Sequence, residues 1–485
     1  MNFPSKRSLV IVIIALCILS RLPQLLSSNL VLDGDECVVG LMAKHIFSLR
    51  DFPLFFYGQA YGFSLIECLA IVPFYAVAGI STISVKLAML CLWTIGVVFM
   101  FKTFLKINTG SVLLPLLLIL IFICCPAWGV WSLKARGGYL TAFMLSSILL
   151  YLLFSPEAKF AVARYFVIGI LFTLIYQCQP LWIPGLIPLL IYPLYAGKYI
   201  RNIIAFIIPV VILFILFYFY KQGISHYYTP DYSYNSSLLI TYVQRIPYFL
   251  FSSLHGYYFS TQIQKPNFYA AFFAYLFTAI IFFLPAAALY NIVKRKRGTT
   301  LFNLSALSVL LTLCCTLFFK EVHPRYLLPV TGYSLLALQL FLQTRVIGKK
   351  ICYIASPVLI TTGIISLVFF KDFRFSTMQK NNLGQLITYL QYNNTHYVYC
   401  YDYMLTCQLI FYSKEQVIAR DRPLPGRYPS YSQQVDSALN NGVKTAFIFN
   451  ELQLRNMPLK DITKFKGYLI VFDPTKNELE KIFQF

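Results

Sequence analysis

The chain has 485 residues, of which 58% are apolar and 12% are charged, and its mean hydropathy is +0.67. Soluble domains carry about twice that share of charged residues, so the composition excludes a soluble cytosolic enzyme, a disordered chain and a small disulfide-stapled protein. It predicts a polytopic membrane protein. The net charge is +22, but most basic residues stand singly between apolar runs, so nucleic acid is not an expected partner.

Apolar runs long enough to cross a bilayer predict eleven spanning helices. They lie near 8–27, 83–101, 112–127, 139–154, 161–176, 180–197, 202–220, 268–291, 301–319, 326–343 and 351–370. The basic loop residues all fall on the cytoplasmic side only if a further apolar segment, 64–80, does not cross the membrane. We therefore expect a cytoplasmic N-terminus, a first outer loop at 28–82 and a large outer loop at 221–267.

Residues 371–485 differ in composition from residues 1–370, the predicted membrane core, and hold ten of the 18 acids. Short runs rich in β-branched and aromatic residues predict strands at 396–401, 416–419, 443–449 and 467–472. Helix-like stretches between them lie at 379–391, 402–412 and 431–441. The alternation predicts a small α/β domain, and eleven spans from a cytoplasmic N-terminus place it on the extracytoplasmic side.

Three carboxylates lie within four positions after the first predicted helix: Asp33, Asp35 and Glu36. Like charges this close repel, so at least one has a raised pKa unless a cation compensates, and a raised pKa suits a general base. The same oxygens are ligands that a divalent cation accepts. The structural alternative is a solvated loop in which Asp35 caps an amphipathic helix. His45, on that helix, is a candidate to assist the acids.

An aromatic and glycine-rich run, 51–62, follows this helix. Its Tyr57, Gln59 and Tyr61 suit a sugar or headgroup site, because aromatic rings offer apolar faces to a pyranose and an amide hydrogen-bonds hydroxyl groups. The alternative is an interfacial aromatic belt that only anchors the protein in the membrane.

Two further clusters place an arginine at the predicted outer end of a helix. Their members are Lys134, Arg136, Tyr139, His323, Arg325 and Tyr326. A guanidinium binds a lipid phosphate through a bidentate fork, but an arginine at this level can also simply snorkel to headgroups. Arginines on the outer side are unusual under the positive-inside rule, which favours a functional role.

The ordered set of motifs resembles the GT-C glycosyltransferases. Within them it resembles the bacterial protein-mannosyltransferase/aminoarabinose-transferase group, which is glycosyltransferase family 39-like. The resemblance covers residues 1–370, including the large outer loop. The residues that carry it are Asp35-Glu36, the run 40–46, the run Pro53 to Tyr61, Arg136 before a helix, and Arg325-Tyr326-Leu327-Leu328-Pro329.

The resemblance implies a multi-helix bacterial membrane enzyme that uses a polyprenyl-phosphate sugar as donor and acts on the outer face. It implies that Asp35, with Glu36 beside it, is the key carboxylate, and that Arg136 and Arg325 hold the donor phosphate. Asp35 would then take a proton from an acceptor hydroxyl as that oxygen attacks the anomeric carbon, with inversion. The acceptor would be a glycan, a lipid or a protein, and the remaining residues named above would line the substrate site.

Two departures separate the chain from that group. Many relatives carry a Lys-Gly pair after the fifth helix, where this chain has Gln177-Cys178-Gln179-Pro180, so a phosphate-binding lysine is missing there. Many also carry a Pro-Pro-Leu run in the first outer loop, where this chain has Phe63-Ser64-Leu65-Ile66-Glu67. The identity of the acceptor therefore cannot be inferred from the resemblance.

Other functional classes fit parts of the same pattern. A transporter or flippase of lipid-linked glycans usually buries ionisable residues in the middle of the membrane, whereas the third to eleventh predicted helices hold almost no acids away from their ends. A glycan ligase or polymerase also pairs outer-loop arginines with an apolar core. The early Asp-Glu pair favours the monosaccharide-donor branch of the enzymes.

Overall fold

A computed structural model describes residues 5–28, 30–108, 110–155, 161–196, 200–224, 239–256, 267–296, 299–316, 323–343, 345–369, 377–422, 426–449 and 462–474 of the chain. The first eleven helices are α1 Lys6–Leu19, α2 Leu22–Leu25, α3 Gly34–Phe47, α4 Leu65–Ala78, α5 Thr82–Ile107, α6 Leu113–Cys124, α7 Pro126–Trp131, α8 Tyr139–Leu153, α9 Ala161–Cys178, α10 Ile183–Ala196 and α11 Ile200–Gln222. The others are α12 Leu239–Leu254, α13 Phe268–Val293, α14 Thr300–Cys315, α15 Leu328–Gln343, α16 Val346–Val368, α17 Thr377–Tyr392, α18 Tyr403–Tyr412 and α19 Pro429–Asn440. Two 3-10 turns, Pro180–Trp182 and Pro324–Leu327, lead into α10 and α15.

Each of the eleven apolar runs predicted to span the membrane forms a helix. Within the described residues, seven helices are long and apolar enough to cross a bilayer. The runs at α6, α8, α10 and α14 form shorter apolar helices. The predicted polytopic helical membrane fold is confirmed, while the side of the membrane that each loop faces stays a prediction.

Three further helices, α3, α4 and α12, lie in segments predicted to be outer loops. The apolar segment 64–80 contains α4, which packs against α3 and α5. The large loop at 221–267 contains α12, which packs against α13 and the turn Pro324–Leu327. Both loops therefore contribute helices that cover the core.

A fully buried arginine joins the first helix to the segment that precedes α8. Arg21 donates through Nε to the Ser132 hydroxyl at 2.6 Å and through Nη2 to the Ile123 carbonyl at 3.0 Å. Its guanidinium also lies 4.2 Å from the centre of the Trp93 ring in α5. A buried charge is tolerated only when its donors are bound, so these contacts fix Ser132 and the start of the loop 132–138.

The C-terminal α/β domain contains a five-stranded sheet in the order β2-β1-β3-β5-β4. The strands are β1 Tyr397–Cys400, β2 Ile418–Asp421, β3 Thr445–Phe449, β4 Thr463–Phe465 and β5 Tyr468–Phe472. β1 is parallel to β2 and β3, and β5 is antiparallel to β3 and β4. The connections through α18 and α19 therefore place the carboxyl ends of β1, β2 and β3 at one edge of the sheet.

Helix α3 lies between α4 of the core and α18 of the C-terminal domain. A Cβ on Gly40 would come within 2.6 Å of the Phe411 ring, so glycine is what allows α18 to approach this closely. Gln408 donates to the Leu32 carbonyl at 2.8 Å, and the Tyr412 hydroxyl accepts from the Leu32 backbone N–H at 2.8 Å. The C-terminal domain is thus attached to the chain directly before the acids.

Candidate active site

The predicted acids form the start of α3. Asp33 is the N-cap: its Oδ1 accepts from the Glu36 backbone N–H at 3.0 Å, and Glu36 Oε2 accepts from the Asp33 N–H at 3.1 Å. This reciprocal pair is a capping box. The structural alternative, in which Asp35 caps the helix, is therefore wrong, because the Asp-x-x-Glu spacing of a capping box belongs to Asp33 and Glu36.

Three cations neutralise the three acids. Glu36 pairs with Lys86 of α5 and, at 3.2 Å, with Lys134. Asp33 pairs with Lys134 at 3.4 Å and with Arg136 at 3.1 Å. We call these three acids and three cations the acid site. The cations supply the compensation that like charges at this spacing require, and they bind Asp33 and Glu36 into a buried framework.

Asp35 differs from the other two acids in its exposure. Its side chain is 19% exposed, whereas the side chains of Asp33 and Glu36 are 1% and 0% exposed. Its Oδ2 accepts from Arg136 Nη2 at 2.6 Å, and its Oδ1 accepts from the Tyr403 hydroxyl at 2.7 Å. A carboxylate offers about four lone-pair sites, so Asp35 can accept a further hydrogen bond, as a general base must. From its buried position Glu36 supports the helix and the cations.

The loop 132–138 that carries Lys134 and Arg136 is held by backbone contacts. Gln179 donates to the Gly137 carbonyl at 3.1 Å. Gly138 has a φ of +92°, and a Cβ there would lie 2.9 Å from the Phe63 carbonyl oxygen. Only glycine fits both the left-handed conformation and the close approach, so the loop has a fixed path to the acids.

Glu67 is an acid of the predicted first outer loop, and no role is predicted for it from the sequence. Its Oε1 accepts from the Gly138 backbone N–H at 3.0 Å, directly before α8. A helix N-terminus favours a negative charge. Nevertheless burial raises the pKa of Glu67 to about 8, against the opposing effect of the backbone hydrogen bonds. Glu67 is therefore a buried support of the loop that carries two of the cations.

Arg325 lies in the turn Pro324–Leu327 and faces the acid site. Its guanidinium hydrogen-bonds the Tyr139 hydroxyl at the start of α8 and interacts electrostatically with Asp35. It also lies 5.3 Å from the centre of the Tyr326 ring. The two predicted arginine clusters are therefore neighbours in the structure.

His323 completes this side of the site. Its ring lies 5.4 Å from the Tyr326 ring. Burial, together with the nearby charges of Arg325 and Arg136, lowers the pKa of His323 to about 4. The imidazole is therefore neutral near pH 7. Nine predicted residues thus meet in one region: Asp33, Asp35, Glu36, Lys134, Arg136, Tyr139, His323, Arg325 and Tyr326.

The aromatic run 51–62 contributes differently from what was expected. Tyr57 is buried, donates to Asp51 at 2.9 Å and hydrogen-bonds His45 Nδ1 at 2.8 Å. Gln59 and Tyr61 are half-buried in the turn before Phe63. The structure thus connects Tyr57 to His45 and Asp51, away from the acids at the start of α3. Substrate binding by Tyr57, Gln59 and Tyr61 stays a prediction.

A second ion network surrounds His45 at the far end of α3. His45 Nε2 lies 3.0 Å from the Tyr431 hydroxyl and 3.3 Å from Glu415. Glu415 also pairs with Lys44 and, at 2.6 Å, with Arg50. Although burial opposes ionisation, hydrogen bonds from His45 and the other partners hold the pKa of Glu415 below its usual value. We call these five residues the docking network. Because His45 belongs to it, His45 is not placed to assist the acids.

A divalent cation does not fit the acid site. Across the part of the chain that the structure describes, no group of three or more His, Cys, Asp or Glu side chains is arranged to hold a metal ion. The carboxylate oxygens of the acid site are bound instead by ammonium and guanidinium groups and by the Tyr403 hydroxyl. The geometry therefore gives no support to the hypothesis that Asp33, Asp35 and Glu36 bind a divalent cation.

Two residues of the site were not predicted. Lys86 stands in an apolar run, and an ionisable residue in such a run is itself a signal of function. Tyr403 lies in the C-terminal domain, 368 residues from Asp35, and nothing in its local sequence marks it. Its position after β1, at the carboxyl edge of the sheet, explains how it reaches the acid site.

Comparison with known proteins identifies the fold. No protein-family model and no curated protein matches the sequence. The crystal structure of ArnT from Cupriavidus metallidurans in the apo state matches with a TM-score of 0.60 and 11% identity, over 96% of this chain and 98% of that one. The structure of the same protein bound to undecaprenyl phosphate matches with a TM-score of 0.61 and 12% identity, over 97% and 99%. The predicted resemblance to the aminoarabinose-transferase group is confirmed at the level of the GT-C fold.

Proposed function

We propose that the protein is an integral-membrane glycosyltransferase that moves a sugar from a polyprenyl-phosphate-linked donor to an acceptor hydroxyl. The observation that carries the proposal is the setting of Asp35, a partly exposed carboxylate beside Arg136 and Arg325. The shared fold adds support, because ArnT is seen bound to undecaprenyl phosphate, the kind of lipid phosphate that such a donor contains.

Arg325 is the residue that we assign to the donor phosphate. Arg136 directs its two terminal nitrogens to Asp33 and Asp35, which makes it a bridge within the acid site. Arg325 hydrogen-bonds the Tyr139 hydroxyl and interacts electrostatically with Asp35, so it places a positive charge beside the proposed base. A guanidinium suits a phosphate through charge-assisted, bidentate hydrogen bonds.

In the proposed reaction Asp35 accepts the proton of the acceptor hydroxyl while that oxygen attacks the anomeric carbon of the donor sugar. The bond from the anomeric carbon to the phosphate oxygen breaks, with inversion at that carbon. The polyprenyl phosphate leaves as an anion that needs charge stabilisation and no proton, which Arg325 supplies. The protonated Asp35 then releases its proton to water.

The reaction is assigned to the extracytoplasmic face. The predicted topology places the first outer loop, the loop 132–138, the turn Pro324–Leu327 and the C-terminal domain on that side. Contacts among these segments form the acid site and its surroundings, which supports a common side for all four. An acceptor hydroxyl on a glycan, a lipid or a protein fits this chemistry.

The test uses the full chain in nanodiscs with radiolabelled polyprenyl-phosphate sugars, and it measures transfer and slow donor hydrolysis. Asp35→Asn should lower turnover by about 10²- to 10⁴-fold, the usual contribution of a general base, with unchanged thermal stability. Asp51→Asn, an acid of the same loop that binds Tyr57, is the matched control and should retain turnover. Near-normal turnover in Asp35→Asn would remove Asp35 from the role, and a wild type inactive on every such donor would overturn the enzyme class.

A second variant tests the phosphate contact. Arg325→Ala should lower kcat/KM for the donor by about 10²-fold, because a preorganised charge at the leaving group is lost. The control is Arg345→Ala. Arg325 lies in the turn before α15, and Arg345 follows the other end of that helix. Equal effects of the two substitutions would refute a specific phosphate contact.

A further inference from the structure

We propose that Tyr403 is a positioning residue for Asp35, so that the C-terminal α/β domain is part of the active site. The inference rests on the proposed role of Asp35 as base. Tyr403 donates to Asp35 Oδ1 at 2.7 Å while Arg136 binds Oδ2 at 2.6 Å. One donor comes from the C-terminal domain and the other from the membrane core. Together they fix the plane of the carboxylate and the direction of its remaining lone pairs.

Tyr403 is itself held firmly in place. It is the first residue of α18, whose N-cap Asp402 accepts from the backbone N–H groups of Met404 and Leu405 at 2.7 and 3.1 Å. A Cβ on Gly34 would lie 3.0 Å from the Met404 Cα and 3.3 Å from the Tyr403 ring. The first turns of α3 and α18 therefore touch, and the Tyr403 hydroxyl has little freedom to leave Asp35.

The domain is attached to α3 at both ends of that helix. Gln408 and Tyr412 hold Leu32 before the acids, and Glu415 holds Lys44 in the last turn and Arg50 after it. Lifting Tyr403 off Asp35 would break several of these contacts together. We therefore infer that Tyr403 stays bound during the reaction, and that the acceptor hydroxyl reaches Asp35 from the side that faces Arg325.

A donor to a carboxylate stabilises its charged form, so the pH dependence of the reaction distinguishes a positioning contact from a packing contact. Among the residues that the structure describes, the charged or titratable groups that interact with Asp35 from neighbouring elements include Arg136, Arg325 and Cys407. Asp33 and Glu36 share its helix, and Arg427 lies 5.1 Å from the Tyr403 ring. Tyr403→Phe leaves all of these in place and removes only the hydroxyl.

The kinetic test compares wild type, Tyr403→Phe and Tyr412→Phe by donor hydrolysis across pH. Tyr403→Phe should lower kcat by about 10- to 100-fold and move the acid limb of the profile upward by about one to two pH units, the effect of losing one charge-assisted hydrogen bond. Tyr412→Phe removes another hydroxyl of α18, which binds the Leu32 backbone N–H. It should leave the acid limb of the pH profile unmoved. An unshifted limb in Tyr403→Phe, whatever its rate, would overturn the proposal.

A measurement that needs no turnover separates this inference from the proposed function. Infrared difference spectra against pH follow the carboxyl stretch that disappears in Asp35→Asn. The midpoint of that band should move to higher pH in Tyr403→Phe and stay at the wild-type value in Tyr412→Phe. A shift without activity on any polyprenyl donor would support the positioning contact and count against the glycosyltransferase. Activity on such a donor, together with an unmoved band in Tyr403→Phe, would support the glycosyltransferase and count against the positioning contact.

Discussion

At its first turn α3 presents acids to cations of the core, and at its last turn it presents Lys44 and His45 to Glu415 of the C-terminal domain. Both arrangements follow the helix dipole, which favours negative charge at the N-terminus and positive charge at the C-terminus. The difference lies in accessibility. Asp35 keeps 19% of its side chain exposed and faces Arg325, whereas Glu415 keeps 9% and is surrounded by the docking network.

This contrast separates attachment from chemistry within one helix. In the docking network the carboxylate of Glu415 is enclosed by Lys44, His45 and Arg50, and these contacts hold two parts of the chain together. In the acid site one carboxylate, Asp35, is itself partly exposed beside a second arginine cluster, which is the setting expected of a functional group. Counting charges cannot distinguish the two, because both ends of α3 contain several ionisable residues.

The largest effect on stability is expected inside the acid site. Lys86→Met leaves Glu36 buried with one of its two cations removed, and breaking a buried ion pair costs about 3–5 kcal/mol of the free energy of unfolding. Thermal unfolding in detergent measures the loss. Lys102→Met, at the other end of α5, is the control. Similar melting temperatures for the two variants would show that the acid site does not support the fold.

A smaller effect is expected at the docking network. Glu415→Gln removes a carboxylate whose cationic partners Lys44 and Arg50 can turn to water, so we expect a loss of about 1–3 kcal/mol, the range for charge-assisted hydrogen bonds. Limited proteolysis should cut the C-terminal domain faster while donor hydrolysis falls only modestly. A loss of activity as deep as that of Asp35→Asn would erase the distinction between the two ends of the helix.

The smallest effect concerns Glu67 and depends on pH. Burial raises the pKa of Glu67 from its ordinary value of 4.5 to about 8, so the folded state binds more protons than the unfolded state between these values. The stability that Glu67 contributes is therefore lost as the pH rises through about 8. The Tm of the wild type should fall by a few degrees from pH 6 to pH 9, and Glu67→Gln should show a flatter slope.

Glu415→Gln is the control for this slope. Its carboxyl group titrates below the range tested, because hydrogen bonds hold the pKa of Glu415 low, so this variant should keep the wild-type dependence on pH. If Glu67→Gln and the wild type have the same slope, Glu67 is already ionised in the folded protein.

Much of the architecture follows from physical patterns in the sequence. The eleven apolar runs were predictable because a segment of bilayer length has to form a helix to satisfy its backbone. Four strands and three helices of the C-terminal domain lie where the alternation of β-branched and helix-forming stretches predicted them. β4 was missed, since its three residues, Thr463–Phe465, are too few to show a period.

The site was predictable only in part. The acids, Arg136 and Arg325 stand out because charges are scarce on the predicted outer side of this chain, and the structure places them together. The capping role of Asp33 could have been read from its spacing to Glu36. The contact of Tyr403 with Asp35 could not have been predicted, because it depends on how a separate domain packs on α3. Nor could the sequence show that His45 and Tyr57 point to Glu415 and Asp51.

The contact between Asp35 and Tyr403 also bears on how the protein is made. A ribosome completes α3 long before it reaches α18, since 368 residues separate the two side chains. Lys86, Lys134 and Arg136 are synthesised early in that interval, whereas the Tyr403 phenol that binds Asp35 is synthesised only after its end. A chain truncated before α18 would therefore contain the acids and cations of the acid site without the donor to Asp35 Oδ1, and under the proposed role of Tyr403 its active site would be incomplete.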